Sequence, residues 1–108
     1  MLAKKFRLTT GAFQLHARQK PSHVERSASF TIKAYASEIA HPRFGIVIGK
    51  KIDTRAVVRN RIKRQTYDVF GGAIKQLMVA DYICIVQPGA QLKTKKELRA
   101  ELLATLLP

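Results

Sequence analysis

From Arg43 to Arg64 the chain sets eight cations, Arg43, Lys50, Lys51, Arg55, Arg59, Arg61, Lys63 and Arg64, against one acid, Asp53. A surface helix that pairs its own charges needs carboxylates about one turn away, and none stands between Thr54 and Tyr67. Arginine predominates, and its planar fork grips two phosphate oxygens where lysine offers a point charge. Asn60 carries a donor and an acceptor able to read a base edge or a 2′-hydroxyl; equally, an Asn inside a helix can bond locally or face water. The chemistry on offer is the holding of a polyanion by its phosphates.

A second set is smaller. Phe13, Thr31, Lys33 and Tyr35 combine rings and donors of the kind on which unpaired bases stack, with Tyr35 the better stacking candidate and Phe13 the more core-like. Equipment for making and breaking bonds is thin. The seven acids are scattered, and no pair has the spacing of a two-metal or general acid and base site. His16, His23 and His41 share no ligand-like spacing and read as loop or surface residues. Gly45 to Lys51 runs Gly-x-x-x-Gly-Lys-Lys but lacks the span and hydroxyl residue of a phosphate-binding P-loop.

These residues need elements to carry them. Successive residues of a helix lie about 100° apart, which brings Val58, Ile62, Gln65 and Val69 onto one narrow core-facing stripe and leaves the cations the rest of the circumference. The sequence predicts a helix over 56–70, with Asp53 or Thr54 as its cap and Gly71-Gly72 as its end. Residues 1 to 8 read as an irregular arm, followed by a short helix capped by Thr9 or Thr10 and running to about Gln19, with Phe13 and Leu15 as its larger apolar residues. Lys20-Pro21-Ser22 breaks it, and a polar connection through His23, Glu25 and Arg26 leads to a strand over 29–35. There Phe30, Ile32 and Ala34 alternate with Thr31, Lys33 and Tyr35, one face core and the other open. The apolar run Arg43 to Gly49 suggests a central strand. A helical turn over 73–78 precedes a strand over 81–86, stopped by Pro88-Gly89. Thr94 caps a last helix to about Leu106 with Leu98, Leu102, Leu103 and Leu106 at core spacings.

At 108 residues the chain is expected to form a single domain, with no internal repeat or linker. An apolar share of 46% suits a folded protein, and a net charge of +13 on this size makes nucleic acid the leading partner, with an anionic membrane surface second. The lone Cys84 sits in an apolar run as a buried, reduced thiol. No stretch approaches the roughly 20 apolar residues of a membrane span, and the chain reads as a soluble, cytoplasmic protein.

Taken in order, these residues resemble the protein component of bacterial ribonuclease P. The match begins at His41-Pro42-Arg43-Phe44-Gly45, passes through Gly49-Lys50-Lys51 and peaks at Arg59-Asn60-Arg61-Ile62-Lys63-Arg64, the family's arginine-asparagine-arginine motif. Asp81 to Val86 with Pro88-Gly89-Ala90 is similar to its last strand and turn. The resemblance implies an α+β fold, a small two-layer sandwich with about four strands in a mixed sheet, in α-β-β-β-α-β-α order with a left-handed β-α-β crossover.

It also implies a protein cofactor, likened to a monomer alone and to one protein with one RNA in the holoenzyme, in which the RNA subunit holds Mg2+ and cleaves precursor tRNA to make the mature 5′ end. Lys50, Lys51, Arg55, Arg59, Asn60, Arg61, Lys63 and Arg64 would then face the catalytic RNA, and Phe13, Thr31, Lys33 and Tyr35 would line a cleft for the 5′ leader. Against the family pattern, Ala17 and Lys33 stand where cleft aromatics are frequent, Tyr67 replaces a common arginine, and Gln87 replaces a basic residue. Two other readings compete: a small basic ribosomal protein with a structural role, and a nuclease acting alone.

Overall fold

The computed structural model describes residues 3–107. Its elements are α1 (Thr10–His16), β1 (His23–Arg26), β2 (Phe30–Tyr35), β3 (Arg43–Val47), α2 (Ala56–Ala73), β4 (Asp81–Val86) and α3 (Lys95–Leu106), with single 3-10 turns at Lys4–Phe6, Ile74–Gln76 and Ala90–Leu92. The four strands form one mixed sheet in the order β1-β2-β4-β3. β1 and β4 each pair antiparallel with β2, while β3 runs parallel to β4. Parallel neighbours need a crossover, and α2 supplies it. The architecture is the α+β one expected, a mixed four-stranded sheet with three helices.

The period of two along each strand sorts side chains between two faces. Phe30, Ile32, Phe44, Ile46, Tyr82, Cys84 and Val86 point to one side and meet Val58, Ile62 and Phe70 of α2 and Leu98, Leu102 and Leu106 of α3 in a single apolar cluster. Burial raises the Cys84 thiol far above its ordinary pKa, so it stays protonated as a core residue. α1 lies across the opposite face.

Several expectations are corrected. β3 is an edge strand and not a central one, despite its apolar run. Its outer edge is shielded by the amino-terminal segment, where Arg7 bridges to Phe44 in parallel and the Leu8 N–H donates to the Phe44 carbonyl. The expected irregular arm is therefore tied down over its described part, residues 1 and 2 lying outside the described residues. The supposed polar connection 23–26 is the strand β1, too short and too polar to show a period. α1 ends at His16, three residues early, and Leu15, one of its larger apolar residues, is exposed.

α2 also departs in detail. Arg55 occupies its cap position without a side-chain cap; the Asp53 carboxylate accepts the Arg55 N–H one step before the helix. The buried row is Val58, Ile62, Thr66, Phe70 and Ala73, stepping by four and then three residues, while Gln65 and Val69 are half-buried. Such a row slants across the axis, as a helix packed on both a sheet and a second helix requires. The helix runs through Gly71-Gly72 because burying Phe70 and Ala73 outweighs the roughly 1 kcal/mol each glycine costs inside a helix. α3 matches its reading at both ends: Thr94 Oγ1 accepts the Glu97 N–H and the Glu97 carboxylate accepts the Thr94 N–H, a full capping box.

Candidate nucleic-acid interface

The turn after β3 delivers the first cations. Ile52 is buried and its N–H bonds the Gly49 carbonyl, so Lys50 and Lys51 are held outward on a short turn just before α2. On α2 itself Asn60, Lys63 and Arg64 are exposed, and Arg59 and Arg61 half-buried. Val57, Asn60, Arg61 and Arg64 line a shallow open hollow, with Val57 74% exposed on an otherwise polar face. The first turn holds no acid, so the positive end of the helix dipole and these guanidinium groups add rather than cancel.

Two of the cations are partly engaged. Arg55 forks onto Asp53 through Nε and Nη2 at 3.0 and 2.8 Å, and that hydrogen-bonded pairing, with the backbone N–H, holds the Asp53 carboxyl down at about 2. Arg55 remains open to solvent on its other side, its side chain 70% exposed. Arg59 Nη1 donates to the carbonyls of Asp53 and Thr54, each at 2.9 Å, and so braces the turn that carries the lysines. Arg43 leaves the set altogether: its guanidinium grips the Asp81 carboxylate with two hydrogen bonds of 2.8 and 2.7 Å on the far face of the sheet. Tyr67 packs edge-on against Phe44 at 6.0 Å, with the Arg7 guanidinium 5.6 Å from its ring centre. Burial raises its hydroxyl above the ordinary value, so it belongs to the core margin and not to the cationic face.

The second set gathers on the α1 side of the sheet. The register aligns Thr31 with Ile85, Lys33 with Ile83 and Tyr35 with Asp81, so Thr31, Lys33 and Tyr35 share this face. Phe13 reaches it from α1, its ring so close over Gly45 that a Cβ there would overlap it. The face is nevertheless less open than the alternation suggests. Thr31 is buried and its hydroxyl accepts a hydrogen bond from Gln87 Nε2 at 3.0 Å. Tyr35 is only 6% exposed and stacks on the His16 ring with centroids 4.5 Å apart, so its ring is already occupied. Lys33 and Phe13 are the half-exposed members of the set.

Sequence reasoning missed two residues here. Arg26 of β1 sits directly opposite Thr31 and adds an exposed cation beside Lys33, and a four-residue polar strand gives no signal for it. His16, read as a loop or surface residue, is 3% exposed; its Nε2–H donates to Asp81 Oδ2 at 2.7 Å and its Nδ1 lies 2.6 Å from Gln19 Oε1. Burial pushes the Asp81 carboxyl upward, but the hydrogen bonds and charges of Arg43 and His16 outweigh it and hold it below the ordinary carboxylate value. Among the described residues, no group of three or more His, Cys, Asp or Glu is arranged to hold a metal ion. None of the described helices is long and apolar enough to cross a membrane.

Fold and face together define a small α+β protein that carries a polycationic helix on the crossover between two parallel strands. The sequence profile of the family described as Ribonuclease P matches residues 2–107. A curated relative from Xanthomonas oryzae pv. oryzae, named ribonuclease P protein component, is 37% identical over 65 residues, or 60% of this chain and 45% of its own. One of the same name from Vibrio vulnificus is 36% identical over 77 residues, covering 71% of this chain and 65% of its own. The matched part thus spans less than half the length of the Xanthomonas relative. Among solved structures, a Staphylococcus aureus RNase P protein superimposes with a TM-score of 0.84 at 27% identity over 94% of this chain and 92% of that one. The Thermotoga maritima protein follows at 0.79, with 21% identity over 93% and 94%. The chain belongs to the ribonuclease P protein family. That membership sets aside the reading as a ribosomal protein.

Proposed function

We propose that the chain is the RNA-binding protein cofactor of the ribonuclease P ribozyme and aids removal of the 5′ leader from precursor tRNA in the cytoplasm. The observation that carries this reading is the outward face of α2 and its preceding turn. There Lys50, Lys51, Arg55, Arg59, Asn60, Arg61, Lys63 and Arg64 crowd around a helix start with no acid in its first turn, in a chain of this family. A phosphate backbone answers such a surface by neutralising the cations and releasing its own counterions. In this reading the RNA subunit holds Mg2+ and carries out phosphodiester hydrolysis, while the protein holds and orients RNA, one protein to one RNA.

The leader lies, in the same reading, along the α1 side of the sheet. Lys33, with Arg26 beside it, meets its phosphates; Phe13, Thr31 and Tyr35 shape the cleft from below rather than offering bare rings. A more electrostatic cleft follows from Tyr35 being stacked on His16. The test is reconstitution: adding the chain to a bacterial ribonuclease P RNA should restore precursor-tRNA cleavage at low Mg2+. Absence of any stimulation would overturn the proposal.

A further inference from the structure

α1 is only 7 residues long, and a helix of two turns has little stability of its own. Two contacts hold it to the sheet. Phe13 lies on the backbone of Gly45 in β3, and His16, three residues on and so on the same side of the helix, reaches Asp81 at the start of β4. The second contact is the stronger in kind. Asp81 is 1% exposed and receives His16 Nε2–H and two guanidinium N–H groups of Arg43, while the His16 ring stacks on Tyr35 and its other nitrogen meets Gln19. One side chain on α1 is thereby joined to β2, β3 and β4 at once.

The geometry points to His16 as a positioning residue: through Asp81 it sets where α1 crosses the sheet, and so the width of the cleft between α1 and the cationic strand face of Lys33 and Arg26. This rests on the proposal that the 5′ leader occupies that cleft. His16 touches no RNA in this scheme; it acts through the place of α1. A misplacement of α1 by about 1 Å is enough to spoil contacts along a single strand. The cationic face of α2 lies across the core from this network and is left as it is.

The test uses the reconstituted holoenzyme with two precursor tRNAs, one with a long 5′ leader and one with a single leader nucleotide, and separately measures affinity for the RNA subunit. His16→Leu keeps bulk and loses the donor to Asp81. It should raise KM for the long-leader precursor on the order of tenfold, leaving kcat, the short-leader KM and RNA-subunit affinity unchanged. His16→Gln keeps an N–H donor and should recover most of the loss. Gly45→Ala drives the Phe13 ring off β3 and should reproduce the same leader-specific defect by an independent route, even where H16L folds poorly. Equal loss on both precursors, no loss on either, or a Gln variant as poor as the Leu one overturns the inference alone. A wild-type enzyme that treats both leaders alike overturns the leader cleft itself, and the inference with it.

Discussion

The two charged faces of this protein are built on opposite terms. On the α2 face the cations are plentiful and mostly solvent-exposed, opposed by Asp53 ahead of the helix and by Asp68 in its later turns. On the α1 face, beneath the more exposed cations Lys33 and Arg26, the polar groups His16, Asp81 and Arg43 are buried or nearly so and satisfied by one another. Exposed cations are worth little to folding and much to a polyanion; buried, mutually bonded charges are worth little to a ligand and much to the geometry around them. The first face should respond to salt and tolerate substitution without unfolding. The second should respond to single atoms and to acid.

The largest break in that contrast is Asp81→Ala, which leaves the buried His16 imidazole and the Arg43 guanidinium without their shared acceptor. It should lower unfolding free energy by about 3 kcal/mol in a denaturant titration. Next comes acid. Asp81 and Glu101 both titrate below their unfolded values. For Glu101 burial acts upward, but hydrogen bonds from Lys93, Ser27 and Ser29 bring it from 4.5 to about 2. A depressed carboxyl stabilises the fold above its unfolded pKa, and that contribution fades as pH falls through the folded one. Thermal stability should therefore drop from about pH 4.5 toward about pH 2, and in Glu101→Gln, about 2 kcal/mol less stable at neutral pH, the drop should be shallower. The smallest effect on folding belongs to the other face. K63A/R64A should change stability by less than about 0.5 kcal/mol, yet reduce the slope of log affinity for the RNA subunit against log salt by about 2. A salt slope unchanged in that double variant, or stability lost with it, would erase the distinction between the faces.

Much of the fold was legible because its signals are local. The alternation over 30–35, the apolar run 81–86 before Pro88-Gly89, and Thr94 with Glu97 three residues later each declare an element within a few residues. The cation run 50–64 was legible for the same reason. What misled was pattern without place. The run Arg43–Val47 has the composition of a central strand, but residues 7 and 8 and the packing of α2 cover it at an edge. Tyr35 alternates onto the open face as read, and only His16, arriving from α1, closes that position.

Composition and spacing by themselves determined an α+β chain with a helix that buries one stripe and turns the rest, densely cationic, outward. Those properties follow from residue type and period, which act between near neighbours in the chain. The tertiary structure alone decided which cations stay free. Arg43 and His16 are charged or polar on paper, but Asp81, 38 residues from one and 65 from the other, takes both. No local rule reaches that far: the pairing exists because parallel β3 and β4 and the crossing of α1 bring three distant polar groups to one dry point, where each must satisfy the others.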